Sequence, residues 1–151
     1  MLWLNISICM FTFFFMECVA WFTHKYVMHG FMWKVHKDHH VRNKNTVFEL
    51  NDLFFLIFAT PGSIFIIYGS QLGFSFPLFW IGLGITIYGA AYFFVHDLFI
   101  HQRIKVLRRT KNPYLMGIRR GHKTHHKHLG KEKGECFGML LVPMKYFRFF
   151  K

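Results

Sequence analysis

The sequence predicts an all-α integral membrane protein: three transmembrane helices carrying a helical, histidine-rich cap on the cytoplasmic side, in one domain over residues 1–151. Three observations predict it. Hydrophobic residues make up 53% of the chain and aromatics 21%, including 21 phenylalanines, which is more apolar surface than a soluble domain of this length could bury. Against that stands a formal charge of +12, from 19 Lys and Arg and 7 Asp and Glu. Every one of those cations is confined to residues 25–44, 103–133 or 145–151, so the greasy and basic parts of the chain are segregated. Disorder is excluded by the low polarity, and an ordinary soluble enzyme does not fit.

The first span runs from about Leu2 to Phe22, interrupted only by Asn5, Ser7, Thr12 and Glu17. It has no basic leader and no small-residue cleavage site, so it is expected to remain in the mature protein rather than act as a signal peptide. The second span, from about Leu53 to Leu72, contains Pro61-Gly62, which predicts a kink or local unwinding. The third runs from about Phe76 to Val95. Gly73-Phe74-Ser75 is the tight turn that makes the last two an antiparallel hairpin, and Gly82 and Gly89 offer a close helix crossing. Each stretch approaches the roughly 20 apolar residues that a crossing needs. With three crossings the basic segments all fall on one side, which the positive-inside rule makes cytoplasmic. The N-terminus and the 73–75 turn then lie outside, and in a bacterium the membrane is the inner one. The tail 137–150 (FGMLLVPMKYFRFF) is broken by Pro143 and Lys145, so it is expected at the interface. A partial fourth insertion of this tail stays open as the alternative.

Cys9, Cys18 and Cys136 have no pairing spacing and make neither a disulfide framework nor a zinc or haem motif. The informative residues are the histidines. Ten of the eleven fall into four groups: His24 and His29; His36, His39 and His40; His96 and His101; His122, His125 and His126. A His-x4-His pair followed by a His-x2-His-His triplet thus occurs twice. Residues i, i+3 and i+4 of a helix lie within about 100° of arc, so each triplet is expected to present three imidazoles to one side. Residues i and i+5 stand about 140° apart, so each pair serves two metals, or one metal where the helix ends or bulges. Imidazole suits zinc, copper, iron and nickel, and ten imidazoles suit two ions better than one. A solvated basic surface or a metal-buffering tract is the plainer reading, and the repeated order on one side of the membrane weighs against it. His128 stands outside the pattern and is expected at the surface.

Three carboxylates are candidates to orient these imidazoles from behind: Glu17, seven residues before His24, together with Asp52 and Asp97. For Glu17 the alternative is a bond to a neighbouring helix, and for Asp52 and Asp97 an ion pair with Lys or Arg. Tyr92 and Tyr88, four and eight residues before His96, and Phe93 beside them are candidate walls of a substrate slot, with ordinary helix packing as the alternative. No histidine falls within a span's core, which argues against a transport pathway. Zinc would suit hydrolysis; iron would suit oxygen activation at an unactivated C–H bond of a lipid arriving through the bilayer.

The histidine groups resemble those of the membrane fatty acid hydroxylase and sterol desaturase superfamily of non-haem di-iron enzymes. The surrounding words THKYVMHG (23–30), FELNDLFFLIF (48–58), YGAAYFFVHDLFIHQR (88–103) and GHKTHHKHLGKEKGECFGMLLVP (121–143) look like the bacterial β-carotene 3-hydroxylases that make zeaxanthin. The resemblance covers nearly the whole chain and departs only after Pro143. It implies a monooxygenase that uses O2 to hydroxylate carbon 3 of the β-ionone rings of β-carotene and related carotenoids, giving β-cryptoxanthin and then zeaxanthin. It further implies two Fe2+ ions held by the ten grouped histidines, and electrons from ferredoxin and its reductase. No G-x-G-x-x-G fingerprint occurs, in keeping with an external donor. The cations Arg103, Lys105, Arg108, Arg109, Arg119 and Arg120 could dock an acidic ferredoxin, although topology and anionic membrane lipid explain them equally. The rivals are another lipid hydroxylase, a desaturase or a carotenoid ketolase of the same superfamily, and, in a different class, a histidine-rich membrane metal-binding protein. Nucleic acid is not expected as a partner, because the spans already account for the charge.

Overall fold

The computed structural model describes residues 1–41, 48–105 and 107–148, and every regular element among them is helical. In chain order these are α1 (Leu2–Phe22), a π-helix (Thr23–Phe31), α2 (Trp33–His40), a 3-10 turn (Leu50–Asp52), α3 (Leu53–Leu72), α4 (Pro77–Phe93), a second π-helix (Phe94–Ile100), α5 (Pro113–His125) and a 3-10 turn (Met144–Tyr146). Three helices are long and apolar enough to cross a membrane: Leu2–Phe31, Leu50–Leu72 and Pro77–Ile100. Arg42 and Lys44 of the first basic segment, and Phe149, Phe150 and Lys151 of the tail, lie outside the described residues.

The hairpin forms as its residues dictate. Gly73 takes φ 101°, a region open to glycine alone at little cost, and Phe76 N–H donates to Gly73 O at 2.9 Å. Pro77 then starts α4 at a position where its missing N–H costs nothing. Helix α4 is the middle of a three-helix layer, packed on α3 along one side and α1 along the other. Close approach is bought by small residues. A β-carbon on Gly82 would sit 2.7 Å from Ile66 N in α3, and one on Gly84 2.6 Å from Cys9 O in α1.

Two expectations need correcting here. Helix α3 stays α-helical through Pro61 instead of unwinding, with Gly62 seated against Ile85 and Thr86 of the neighbouring helix. Gly89 makes no close crossing: nothing lies within 4 Å of where its β-carbon would be.

The free edges of α1 and α3 expose Phe11, Phe14, Phe15, Ile57, Ile64 and Ile67, as lipid-facing surfaces should. At the far end of the layer Asn5 Nδ2 ties α1 to the hairpin by donating to Ser75 O. At the other end α2 and α5 form the cap, over a core of Val95, Phe99, Ile100, Ile118 and Met139. Helix α5 begins where Asn112 Oδ1 accepts from Leu115 N–H and Pro113 follows. The tail, expected at the interface, packs in part into the protein. Phe137 and Met139 are buried beneath the cap, and the described part, up to residue 148, contains no helix of spanning length.

Candidate metal centre

The two His-x4-His pairs sit on the two π-helices, His24 and His29 on the first, His96 and His101 at the end of the second. A π-helix closes its hydrogen bonds from i to i+5, so it stacks the two positions that a regular helix would turn about 140° apart. In the second the bond is made between the histidines themselves, His101 N–H to His96 O at 2.9 Å. The bulge that lets one pair serve one metal is present at both places.

The imidazoles gather into two clusters. Cluster I comprises His24, His29, His36, His40 and His125; cluster II comprises His39, His96, His101 and His122; within each, the candidate ligand atoms lie within 4.8 Å of one another. His126 adjoins cluster II, its Nε2 2.8 Å from that of His122. Each triplet is therefore split. His36 and His40, one turn apart on α2, join cluster I while His39 between them crosses to cluster II. On α5 His122 belongs to cluster II while His125 crosses to cluster I. The arc of about 100° expected to face one site is wide enough to straddle two.

The donor set fits metal ions. Nε2 atoms of His24 and His36, His29 and His125, and His36 and His40 are 3.1 Å apart, and those of His101 and His122 are 2.8 Å apart. In His29 and His125 the Nδ1–H donates to a backbone carbonyl, Leu129 O at 2.9 Å and Glu135 O at 3.1 Å. A carbonyl only accepts, and a neutral imidazole carries one proton. Their Nε2 lone pairs therefore face each other, an arrangement that needs a cation. Imidazole–metal bonds of about 2.0–2.1 Å set neighbouring donors at right angles roughly 3 Å apart. The buried Nε2 of His39 has no hydrogen-bond partner among the described residues, as an atom reserved for a metal would.

Burial, aided by repulsion from the other imidazoles, favours the neutral form of His36, His39, His122 and His126. His39 and His122 are driven well below the usual histidine value by burial first and by His96 and His101 next. Burial likewise pushes His36 down to about 3, against its own hydrogen bond to Asn51 Oδ1, and His126 down to about 4. Neutral imidazole is the ligating form.

What stands behind the imidazoles differs from the expected carboxylates. Asp97 Oδ2 does accept from His96 Nδ1, at 3.1 Å. Asp52 pairs instead with Arg103, at 2.6 Å. Glu17 is bonded to Tyr88 OH and to three backbone N–H groups, and to no histidine. The orienting partners missed in the sequence are Glu49, which accepts from His39 Nδ1 at 3.0 Å, Asn51, 2.6 Å from His36 Nδ1, and the carbonyls of Leu129, Glu135 and Phe137. Glu49 and Asn51 stood in the recognised word 48–58; backbone carbonyls leave no trace in a sequence. His128 is half-buried, its Nδ1 on Thr124 O, rather than a surface residue.

Tyr88, Tyr92 and Phe93 all line one cavity of about 420 Å³ held between α1, α3 and α4. Its walls are apolar side chains such as Met16, Phe54 and Phe58, with Gly89 leaving the space open. At its cap end stand His36 of cluster I and His96 of cluster II, the latter packed at a tilt against Tyr92 with ring centres 5.0 Å apart. Of the cations expected to form a docking surface, two are engaged internally. Arg103 binds Glu49, Asp52 and Asp97, and Arg119 lies over the Phe99 ring and donates to Phe99 O. Arg120 is half-buried; Lys105, Arg108 and Arg109 remain exposed.

Residues 9–146 match the family described as fatty acid hydroxylase. The chain is 42% identical over 144 residues to "Beta-carotene hydroxylase" of Pantoea ananas, covering 95% of this chain and 81% of that protein. It is also 42% identical over 125 residues to the protein of the same name from Pseudescherichia vulneris, covering 83% and 69%. "Beta-carotene 3-hydroxylase 2, chloroplastic" of Arabidopsis thaliana is 37% identical over 130 residues, 85% of this chain and 42% of the longer plant protein. No solved structure matches.

Proposed function

The chain belongs to the fatty acid hydroxylase family, and on that premise we propose that it is a membrane di-iron monooxygenase hydroxylating carbon 3 of the β-ionone rings of β-carotene. The product of one turnover is β-cryptoxanthin and of two, zeaxanthin. The observation that carries this reading is the cavity: it lies among helices that face lipid, and one imidazole from each cluster stands on its wall. A carotenoid is a stiff rod about as long as the hydrocarbon core is thick, roughly 30 Å, so a rod lying among the spans brings an end ring to the cap.

The ten grouped histidines are the proposed ligands of two Fe2+ ions. Bound there, iron would supply reductive activation of O2, which with two electrons and two protons puts one oxygen atom on the ring carbon and releases the other as water. The chain's own part is placement. Tyr92 packs against His96 and, with Phe54, Phe58 and Phe93, confines the ring so that one carbon meets the site. The apolar walls exclude water from the reacting centre. The Nδ1–H bonds of His24, His29, His36, His39, His96 and His125 to carbonyls and carboxylates hold those imidazoles in the tautomer whose Nε2 can bind.

Electrons come from ferredoxin and its reductase, with Lys105, Arg108 and Arg109 as the exposed cations that would meet an acidic donor. The positive-inside rule supports a cytoplasmic cap in the bacterial inner membrane, with the N-terminus outside. Expression in a β-carotene-producing host tests the reading. Zeaxanthin, with β-cryptoxanthin at early times, is expected; a ketone, or unchanged β-carotene alongside correctly inserted protein, would overturn it.

A further inference from the structure

We propose that Glu17, inside the first span, is a positioning residue for cluster I. It anchors from within the membrane the strap (residues 129–141) whose carbonyls orient three of that cluster's imidazoles. The proposal rests on the reading that the clusters hold metal.

Glu17 is buried, with a relative exposure of 6%. Its Oε1 accepts from the backbone N–H groups of Met139, Leu140 and Leu141 at 2.8, 2.8 and 3.0 Å, and its Oε2 accepts from Tyr88 OH at 2.7 Å. Four donors converge on one carboxylate deep in an apolar layer, where charge-assisted bonds are strong and an unpaired group is costly. The strap has no regular secondary structure to hold it there. It must also carry Cys136 at φ 58°, a left-handed conformation that a β-carbon disfavours. Something outside the strap has to fix it, and Glu17 is placed to do so.

The strap's carbonyls point the other way, into cluster I. Phe137 O receives His24 Nδ1–H at 2.9 Å, Glu135 O receives His125 Nδ1–H at 3.1 Å, and Leu129 O receives His29 Nδ1–H at 2.9 Å. In cluster II, by contrast, His39 and His96 are held by the Glu49 and Asp97 side chains. Loosening the strap should therefore disturb one metal and spare the other. Because Tyr88 also lines the cavity, the same carboxylate joins the substrate wall to the cluster I ligands.

The test is a Co2+ titration of the full-length protein, purified in detergent and stripped of metal, followed by ligand-field absorption. Wild type is expected to take up two equivalents; if it takes up none, the metal reading fails and not the strap. Given two equivalents, Glu17→Leu should weaken one of them ten-fold or more, the usual effect of removing a partner behind a ligand, and leave the other within about threefold. Glu17→Gln, whose carbonyl can still accept from the strap, should recover most of the loss. Gly138→Ala attacks the same contact from the strap side, since its β-carbon would lie 2.6 Å from Glu17 Oε1, and should reproduce the one-equivalent defect. Wild-type affinity for both equivalents in Glu17→Leu and Gly138→Ala, or equal weakening of both, would overturn the proposal.

Discussion

Cluster I and cluster II are built from the same two kinds of motif, yet they differ in what backs the imidazoles. In cluster I the known acceptors are neutral: three backbone carbonyls and the Asn51 side chain. In cluster II they are carboxylates, Glu49 behind His39 and Asp97 behind His96, tied together by Arg103 at 3.2 and 2.9 Å. A carboxylate makes the imidazole it receives from more basic, and so a stronger donor to a cation. The difference teaches that a repeated sequence motif does not make two equivalent sites. Cluster II should hold a divalent ion more tightly.

The most severe way to break the comparison is to remove the two histidines that cross between clusters. His39→Ala and His125→Ala should each lower zeaxanthin formation by more than the ~100-fold that loss of an outer partner costs, with membrane insertion unchanged. Metal analysis should assign the first equivalent bound in wild type to the cluster weakened by His39→Ala. Retained hydroxylation in either variant would remove the ligand assignment.

A step smaller, Glu49→Gln should weaken the tighter equivalent by about 10–100-fold, and Asn51→Leu the other by less. Equal effects on both equivalents from both substitutions would erase the distinction between the clusters.

The cavity can be separated from both. Gly89→Ile should fill space opposite the ring and cut turnover about ten-fold while both metal equivalents stay, because nothing lies within 4 Å of its β-carbon. Exchanging glycine for a better helix former should also raise stability by a few tenths of a kcal/mol. Loss of metal in this variant would show that cavity and clusters are not independent.

The gentlest probe is acid. Burial lowers the folded-state values of His36, His39, His122 and His126 below that of an unfolded chain. The unfolded state then binds more protons, so stability of the metal-free cap is full above about pH 6.5 and falls as pH drops toward about 3–4. Thermal melts of stripped protein between those limits should show the slope, and bound metal should raise the melting temperature without removing that slope. A melting temperature independent of pH would contradict the burial of these rings.

The spans could be read from the sequence almost to the residue, because twenty apolar residues in a row admit few other structures. The metal clusters were legible as a conflict. A His-x4-His pair shares no face of a regular helix, and the π-helix at each pair is how the fold resolves it. The division of each triplet was hidden, since spacing gives the width of an arc but not where two ions stand along it. Arg103 read as surface charge because its three carboxylates come together only in the fold, from Glu49 and Asp52 more than forty residues away. The strap was illegible for a simpler reason: its acceptors are carbonyl oxygens, which every residue has.

The bond between Glu17 and Met139 joins positions 122 apart in the chain. During synthesis all three hydrophobic segments leave the ribosome, and can enter the bilayer, before the strap exists. Until it emerges, His24 and His29 lack the acceptors that orient them. If the clusters hold metal as proposed, filling of cluster I is therefore set to be the last act of biogenesis, and a released chain truncated before residue 129 should be a fully inserted membrane protein with one cluster still unfinished.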